Sequence, residues 1–147
     1  RHSFPTRRSS DLIVMEGTLD IAAMGNLMAT AAKVRGMAGM VLDGAIRDIW
    51  DVRRMGLTVY ARSSSPRTAV GHYATVARNV EVQCAGITVR PGDIIVADED
   101  GVVVVPQERA EEVLKKAQEI DDREKGMFPF IRQFKSLTKA IEKFNRI

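Results

Sequence analysis

A single cysteine, Cys84, occurs in 147 residues, so no internal disulfide framework holds the chain and a reducing compartment suits it. No apolar run approaches the ~20 residues of a membrane-spanning helix. Internal repeats and low-complexity tracts are also missing, which excludes solenoid and fibrous architectures. No glycine-rich loop follows a strand pattern, so the chain lacks the phosphate cradle of a nucleotide-type cofactor. The acidic run Asp98-Glu99-Asp100 lacks the remaining ligands and distal glutamate of a calcium loop and reads as a solvated turn. These absences leave a cytoplasmic protein with no membrane partner as the expectation.

Residues 1–12, RHSFPTRRSSDL, have neither the apolar core of a signal peptide nor a helical or strand period. They read as a non-native, adapter-derived segment. Setting them aside removes Arg1, Arg7 and Arg8 against Asp11 and lowers the formal net charge from +3 to +1. So small a surplus gives no footprint for nucleic acid. The remainder suits one domain with its own core, since domains commonly hold ~100–150 residues.

What is present concentrates in residues 25–48, GNLMATAAKVRGMAGMVLDGAIRD. Small and apolar residues without a breaker predict a helix over 27–34, and Gly36 can take the left-handed conformation that ends it. Residues 37–42 form a short run of buried-strand type, and Asp43-Gly44 is a turn dipeptide. The chain then delivers Arg47 and Asp48 side by side, a fork-shaped cation next to a hard oxygen ligand. That pairing suits a small oxyanion held against a divalent metal. Gly25 lets the backbone pass close to a ligand, and the amides of Asn26, Leu27 and Met28 are donors at a helix start, which attracts a carboxylate or phosphate. A solvent-capped helix start and a local Arg47–Asp48 ion pair are the plainer alternatives.

Residues 13–15 read as the end of a strand, and 18–24 as the lead into the helix. Ile49, Val52 and Met55 predict a short helix stopped by Gly56, followed by a strand over 57–61, a βαβ pattern with parallel connections. Residues 62–73 are irregular, with Ser63-Ser64-Ser65-Pro66 as a loop and Arg67 and His72 as the chemically interesting side chains. Residues 80–89 predict a strand with a bulge at Gly86, and 93–97 with 102–105 a hairpin across the acidic turn. Residues 107–125 predict a charged helix ended by Gly126. A C-terminal amphipathic helix is expected over 127–147, with Phe130, Phe134, Leu137, Ile141 and Phe144 opposite Arg132, Lys135, Lys139, Lys143 and Arg146. Its expected role is to dock on its own domain or on a neighbouring subunit. Periodicity alone supports a mixed α/β fold.

Residues 25–48, together with SPRTAVG at 65–71 and RPGDIIVADEDGVVVVP at 90–106, closely resemble the RraA-like family. That family comprises class II aldolases acting on 4-hydroxy-4-methyl-2-oxoglutarate or 4-carboxy-4-hydroxy-2-oxoadipate, oxaloacetate-decarboxylating relatives, and the regulator of ribonuclease activity A. The likeness runs from residue 13 to about 125. It implies an α/β fold of the swivelling β/β/α type, a mixed sheet with flanking helices, over residues 13–126 with an N-terminal part missing. It also implies a homotrimer, or a hexamer built as a dimer of trimers, with sites between subunits. The aldolase pattern is an aspartate, twenty intervening residues, then Arg-Asp. Arg47-Asp48 matches, and Asn26 stands where the aspartate would be.

The resemblance implies a metal-dependent aldolase that cleaves a 4-hydroxy-2-oxo acid to pyruvate, with oxaloacetate decarboxylation through the same enolate. Asp48 is then the ligand for Mg2+ or Mn2+. Arg47 lies over the oxo oxygen or the pyruvyl carboxylate, and Gly25, Asn26, Leu27 and Met28 bind the substrate's remaining carboxylate oxygen. The alternative from the same resemblance is a non-catalytic, protein-binding regulator of ribonuclease activity. Asn26 leaves room for it, because one fewer negative charge weakens metal affinity.

Overall fold

The computed structural model describes residues 11–145. The chain divides into two compact units, residues 1–104 and 105–147. Within the first, strand β3 (Gly39–Ile46) is the axis. Strands β1 (Leu12–Glu16) and β2 (Ala22–Met24) run parallel to it along one edge, one after the other, and β4 (Thr58–Ser64) runs parallel along the opposite edge. Seven of the eight β3 residues are buried. A strand covered on both faces reads as a near-continuous apolar run, which is why residues 39–42 announce it.

Helix α1 (Asn26–Val34) joins β2 to β3, and α2 (Ile49–Met55) joins β3 to β4. Ala29 and Ala32 bring α1 close to the sheet, where Met24, Met40, Leu42, Ile46, Val52 and Leu57 complete the core. Each such large side chain contributes roughly 1.5–3 kcal/mol by burial. Helix α1 ends as its sequence predicts. Gly36 adopts φ +74°, its N–H donates to Lys33 O, and Met37 N–H donates to Ala32 O, the paired bonds of a Schellman cap. Gly56 closes α2 in the same left-handed region.

Several expectations are corrected. Asp43-Gly44 is not a turn but lies inside β3, at an irregularity where the β4 register jumps between Leu42 and Ala45. Glycine is required there because a Cβ on Gly44 would sit 2.9 Å from Gly17 Cα and Thr18 O. Residues 18–24 include a strand, β2, too short to show a period. Strand β4 extends through Ser63 and Ser64, which were expected in a loop. The sheet begins inside the segment set aside as non-native: Leu12 pairs with Gly39, and Asp11 O accepts from Ala38 N–H. Residues 1–10 of that segment lie outside the described residues.

Residues 80–89 are not one bulged strand. They form an antiparallel hairpin, β5 (Val82–Cys84) and β6 (Ile87–Val89), around Ala85-Gly86, both at positive φ. Those angles are what a two-residue hairpin turn demands. Strands β7 (Ile94–Ala97) and β8 (Val102–Val105) pair across the acidic turn as expected, with Asp98 Oδ1 accepting from the amides of Asp100 and Gly101.

In the second unit a short 3-10 turn (Gln107–Arg109) leads into α3 (Ala110–Phe134), which runs straight through Gly126. Gly126 therefore does not end the helix. It faces Phe144 of α4 (Leu137–Phe144), whose ring would lie 2.8 Å from an added Cβ. The expected single helix over 127–147 is thus the end of α3 plus α4, broken at Lys135 (φ +50°) and capped by Ser136, whose Oγ accepts from Lys139 N–H. Phe130 lies tilted against Phe134 and edge-on to Phe144, with Lys143 over its ring. Arg146 of the expected basic face lies outside the described residues.

Candidate functional site

Three parallel strands end at one edge of the sheet, and their exits form the site. Met24 O at the end of β2 accepts from Arg47 N–H, and Ile46 O at the end of β3 accepts from Ser65 N–H just beyond β4. The carboxyl ends of parallel strands are where open α/β sheets expose backbone groups for a ligand.

Arg47 and Asp48 occupy this edge together. Arg47 Nε lies 3.8 Å from Asp48 Oδ2, and the side chains are 39% and 40% exposed, so the pair is neither sealed nor splayed. Asp48 holds φ +56°, a left-handed conformation that costs most residues about 1–2 kcal/mol and that Asp tolerates better than most. This kink turns the carboxylate back toward α1, where Oδ2 accepts from Asn26 N–H at 2.9 Å. Gly25 passes underneath: a Cβ there would fall 2.6 Å from Asp48 Oδ2 and 2.7 Å from Arg47 Nε. Only glycine leaves that space. Gly25 therefore admits the two side chains themselves, where the sequence suggested only close approach to a ligand.

With the Asn26 amide engaged and Ala29 N–H bonded to Gly25 O, helix geometry leaves the Leu27 and Met28 amides without intrahelical acceptors. Both residues are exposed at this edge. The expected set of Gly25, Asn26, Leu27, Met28, Arg47 and Asp48 is thus assembled from two strand exits and one helix start.

Asp48 is the one carboxylate of this set. Among the described residues no group of three or more His, Cys, Asp or Glu side chains gathers. A hard divalent ion that keeps several waters and takes one carboxylate fits the donor set, and Asp48 would hold it.

Other flagged side chains do different work. Arg67 pairs with Asp20 at 3.1 Å, and Arg67 O accepts from Ala22 N–H. His72 is exposed beside Tyr73, a residue not singled out by the sequence, whose hydroxyl accepts from Thr18 N–H at 2.7 Å and donates to Ile21 O at 3.3 Å. Ser63 and Ser65 donate to Leu19 O and Asp20 O. These bonds hold residues 18–22 against β4 and the segment that follows it. Asp43 accepts from Arg62 and from Ala85 N–H, which hold its carboxyl below the ordinary 3.8. Burial, with the nearby Asp43 charge, pushes the Cys84 thiol above its ordinary 9.0, which disfavours the nucleophilic thiolate.

A separate groove of about 580 Å3 opens between α2 and β4, lined by Ile49, Val52, Leu57 and Ser64 among others. It contains no carboxylate, histidine or cysteine and none of the corner residues.

Fold and corner together define an α/β protein with Arg47, Asp48 and the start of α1 gathered at its parallel strand ends. Residues 3–104 match the RraA-like family (Aldolase/RraA), and the chain belongs to that family. A protein of Halalkalibacterium halodurans carrying the provisional name 4-hydroxy-4-methyl-2-oxoglutarate aldolase is 39% identical over 113 residues, 73% of this chain and 51% of that protein. A solved structure of an uncharacterized protein from Pseudomonas syringae pv. tomato aligns with a TM-score of 0.85 at 30% identity, covering 90% of this chain and 63% of that one. Streptomyces coelicolor RraAS2, described as an unusual member of the RNase ES inhibitor RraA protein family, aligns at 0.65 and 30% identity, covering 78% and 60%. The chain spans about half the length of relatives such as the H. halodurans protein. No helix among the described residues is long and apolar enough to cross a membrane.

Proposed function

We propose that this protein is a divalent-metal-dependent lyase that releases pyruvate from a 4-hydroxy-2-oxo acid such as 4-hydroxy-4-methyl-2-oxoglutarate. The observation that carries the reading is the Arg47–Asp48 pair set against Gly25 and the Asn26 amide at the strand ends. Asp48 would hold Mg2+ or Mn2+. When bound, that ion supplies electrostatic stabilisation of the charge that develops on the 2-oxo oxygen as the carbon–carbon bond breaks. Arg47 binds the pyruvyl end through its planar fork. The Leu27 and Met28 amides take the other carboxylate oxygen, and Gly25 keeps all these groups within reach of one small ligand. Oxaloacetate decarboxylation leaves charge on the same oxygen, so the same residues serve it.

Assembly as a homotrimer or hexamer and a cytoplasmic location belong to this reading, and light scattering on the purified protein checks the first. The second reading, a protein-binding regulator of ribonuclease activity, is favoured by the likeness to RraAS2 and by Leu27 and Trp50, which stand 85% and 66% exposed in the first turns of α1 and α2. Apolar side chains around a charged corner suit a protein partner. A coupled pyruvate-release assay with Mg2+ or Mn2+ separates the two. Turnover that disappears on chelation and returns with Mn2+ is expected, whereas ribonuclease inhibition without pyruvate release supports the regulator.

A further inference from the structure

Asn26 opens α1 with its backbone N–H given to Asp48 Oδ2. Its side chain is engaged as well. One turn along, Thr30 Oγ1 donates to Asn26 Oδ1 at 3.3 Å. The i, i+4 spacing places both side chains on one face of the helix. An asparagine amide has one accepting end and one donating end. With the oxygen turned to Thr30, the other end of the amide is the Nδ2 pair of hydrogens. The neighbouring Asp48 carboxylate favours the same orientation, since it attracts N–H groups and repels a carbonyl oxygen.

We infer that Thr30 is a positioning residue. It fixes the Asn26 amide so that position 26 presents hydrogen-bond donors to a substrate carboxylate, beside the Arg47 fork, rather than an oxygen to a cation. The inference rests on the 2-oxo acid reading of the corner and deepens it. A guanidinium and a primary amide together select a ligand that is anionic at that end. Asp48 then remains the one side-chain oxygen ligand of the set for a metal. Nothing in the sequence pattern marks Thr30, which is an exposed helix residue of lower helix propensity than alanine.

The test is calorimetric titration of oxalate, a planar mimic of the pyruvate enolate, into the purified protein in Mn2+, with Mn2+ affinity measured separately from the free-ion resonance signal. Thr30→Val keeps the branched shape and removes the hydroxyl. Thr30→Ala also removes it while favouring the helix, so a folding defect in the first variant leaves the second to decide. Both are expected to weaken oxalate binding by about five- to tenfold, the usual scale for one neutral hydrogen bond, with Mn2+ affinity unchanged. Thr30→Ser should restore wild-type binding. Wild-type oxalate affinity in both hydroxyl-deleted variants overturns the role of Thr30, and an equal loss of Mn2+ affinity overturns the donor assignment. A wild-type protein that binds no oxalate removes the 2-oxo acid reading itself, and this inference with it.

Discussion

Asp48 Oδ2 accepts a hydrogen bond from the backbone N–H of Asn26 at 2.9 Å, across 22 positions of sequence. One carboxylate oxygen thereby caps α1 while the side chain stays 40% exposed beside Arg47. The same residue serves as structural cap and as candidate ligand.

Those two roles can be separated by substitution. Asp48→Asn keeps a side chain that tolerates positive φ and can still accept from Asn26, so the fold should persist. Asp48→Ala loses the cap as well, at about 1 kcal/mol. Pyruvate release should be abolished in both, and Arg47→Lys should lower it severely because a point charge cannot reproduce the fork. Steady-state kinetics beside thermal melts checks this; retained turnover in Asp48→Asn would remove the carboxylate from the mechanism.

Gly25→Ala introduces a methyl group 2.6 Å from Asp48 Oδ2 and 2.7 Å from Arg47 Nε. The backbone at Gly25 is extended, so the clash, not torsional strain, sets the outcome. Arg47 and Asp48 must move apart, and turnover should fall by about a hundredfold, as misplacements near 1 Å do. Kinetics and a crystal structure of the variant test the displacement.

Asn26→Asp adds a second carboxylate beside Asp48. Mn2+ binding should tighten by about tenfold, from the added charge a few ångströms away. Titration of the metal alone reads this without reference to turnover, and unchanged affinity would place the cation elsewhere.

Asp43 joins β3 to β4 through Arg62 and to the β5–β6 hairpin through Ala85 N–H. Its folded-state carboxyl lies below the ordinary 3.8, so its contribution is present above that value and is lost as pH falls through the folded-state value. Arg62 is 53% exposed, and screening holds the ion pair to about 1 kcal/mol. Denaturant unfolding should show Asp43→Asn less stable than wild type at pH 7, with the gap closing well below pH 4.

Gly126→Leu should release α4 from α3, because the side chain occupies the position of the Phe144 ring. Gly126→Ala should be nearly neutral: the ring edge can swing aside, and alanine returns about 1 kcal/mol of helix propensity. Amide exchange at Ala140, which is fully buried, reports the undocking.

Some of this architecture was legible in the order of residues. The α1 stop at Gly36, the span of α2 from Ile49 to Met55 and the acidic turn at 98–101 depend on local dihedral preference and one-helix periodicity, which a sequence carries directly. Arg47 and Asp48 were legible as a pair because they are adjacent. Gly44, Gly86 and Gly126 were misread as a turn, a bulge and a helix stop. A glycine records that a side chain is excluded, not what excludes it, and at Gly44 and Gly126 the reason is a segment distant in sequence.

By itself, then, the sequence determined α1, α2 and the β7–β8 hairpin, the family, and the adjacency of the two side chains of the corner. Tertiary structure alone decided that β1 and β2 share one edge of β3, that Asp48 reaches back to Asn26 and that Gly25 lies beneath Arg47. Each of these is a contact between residues that no local rule joins, created only when parallel strands bring their carboxyl ends to a common edge.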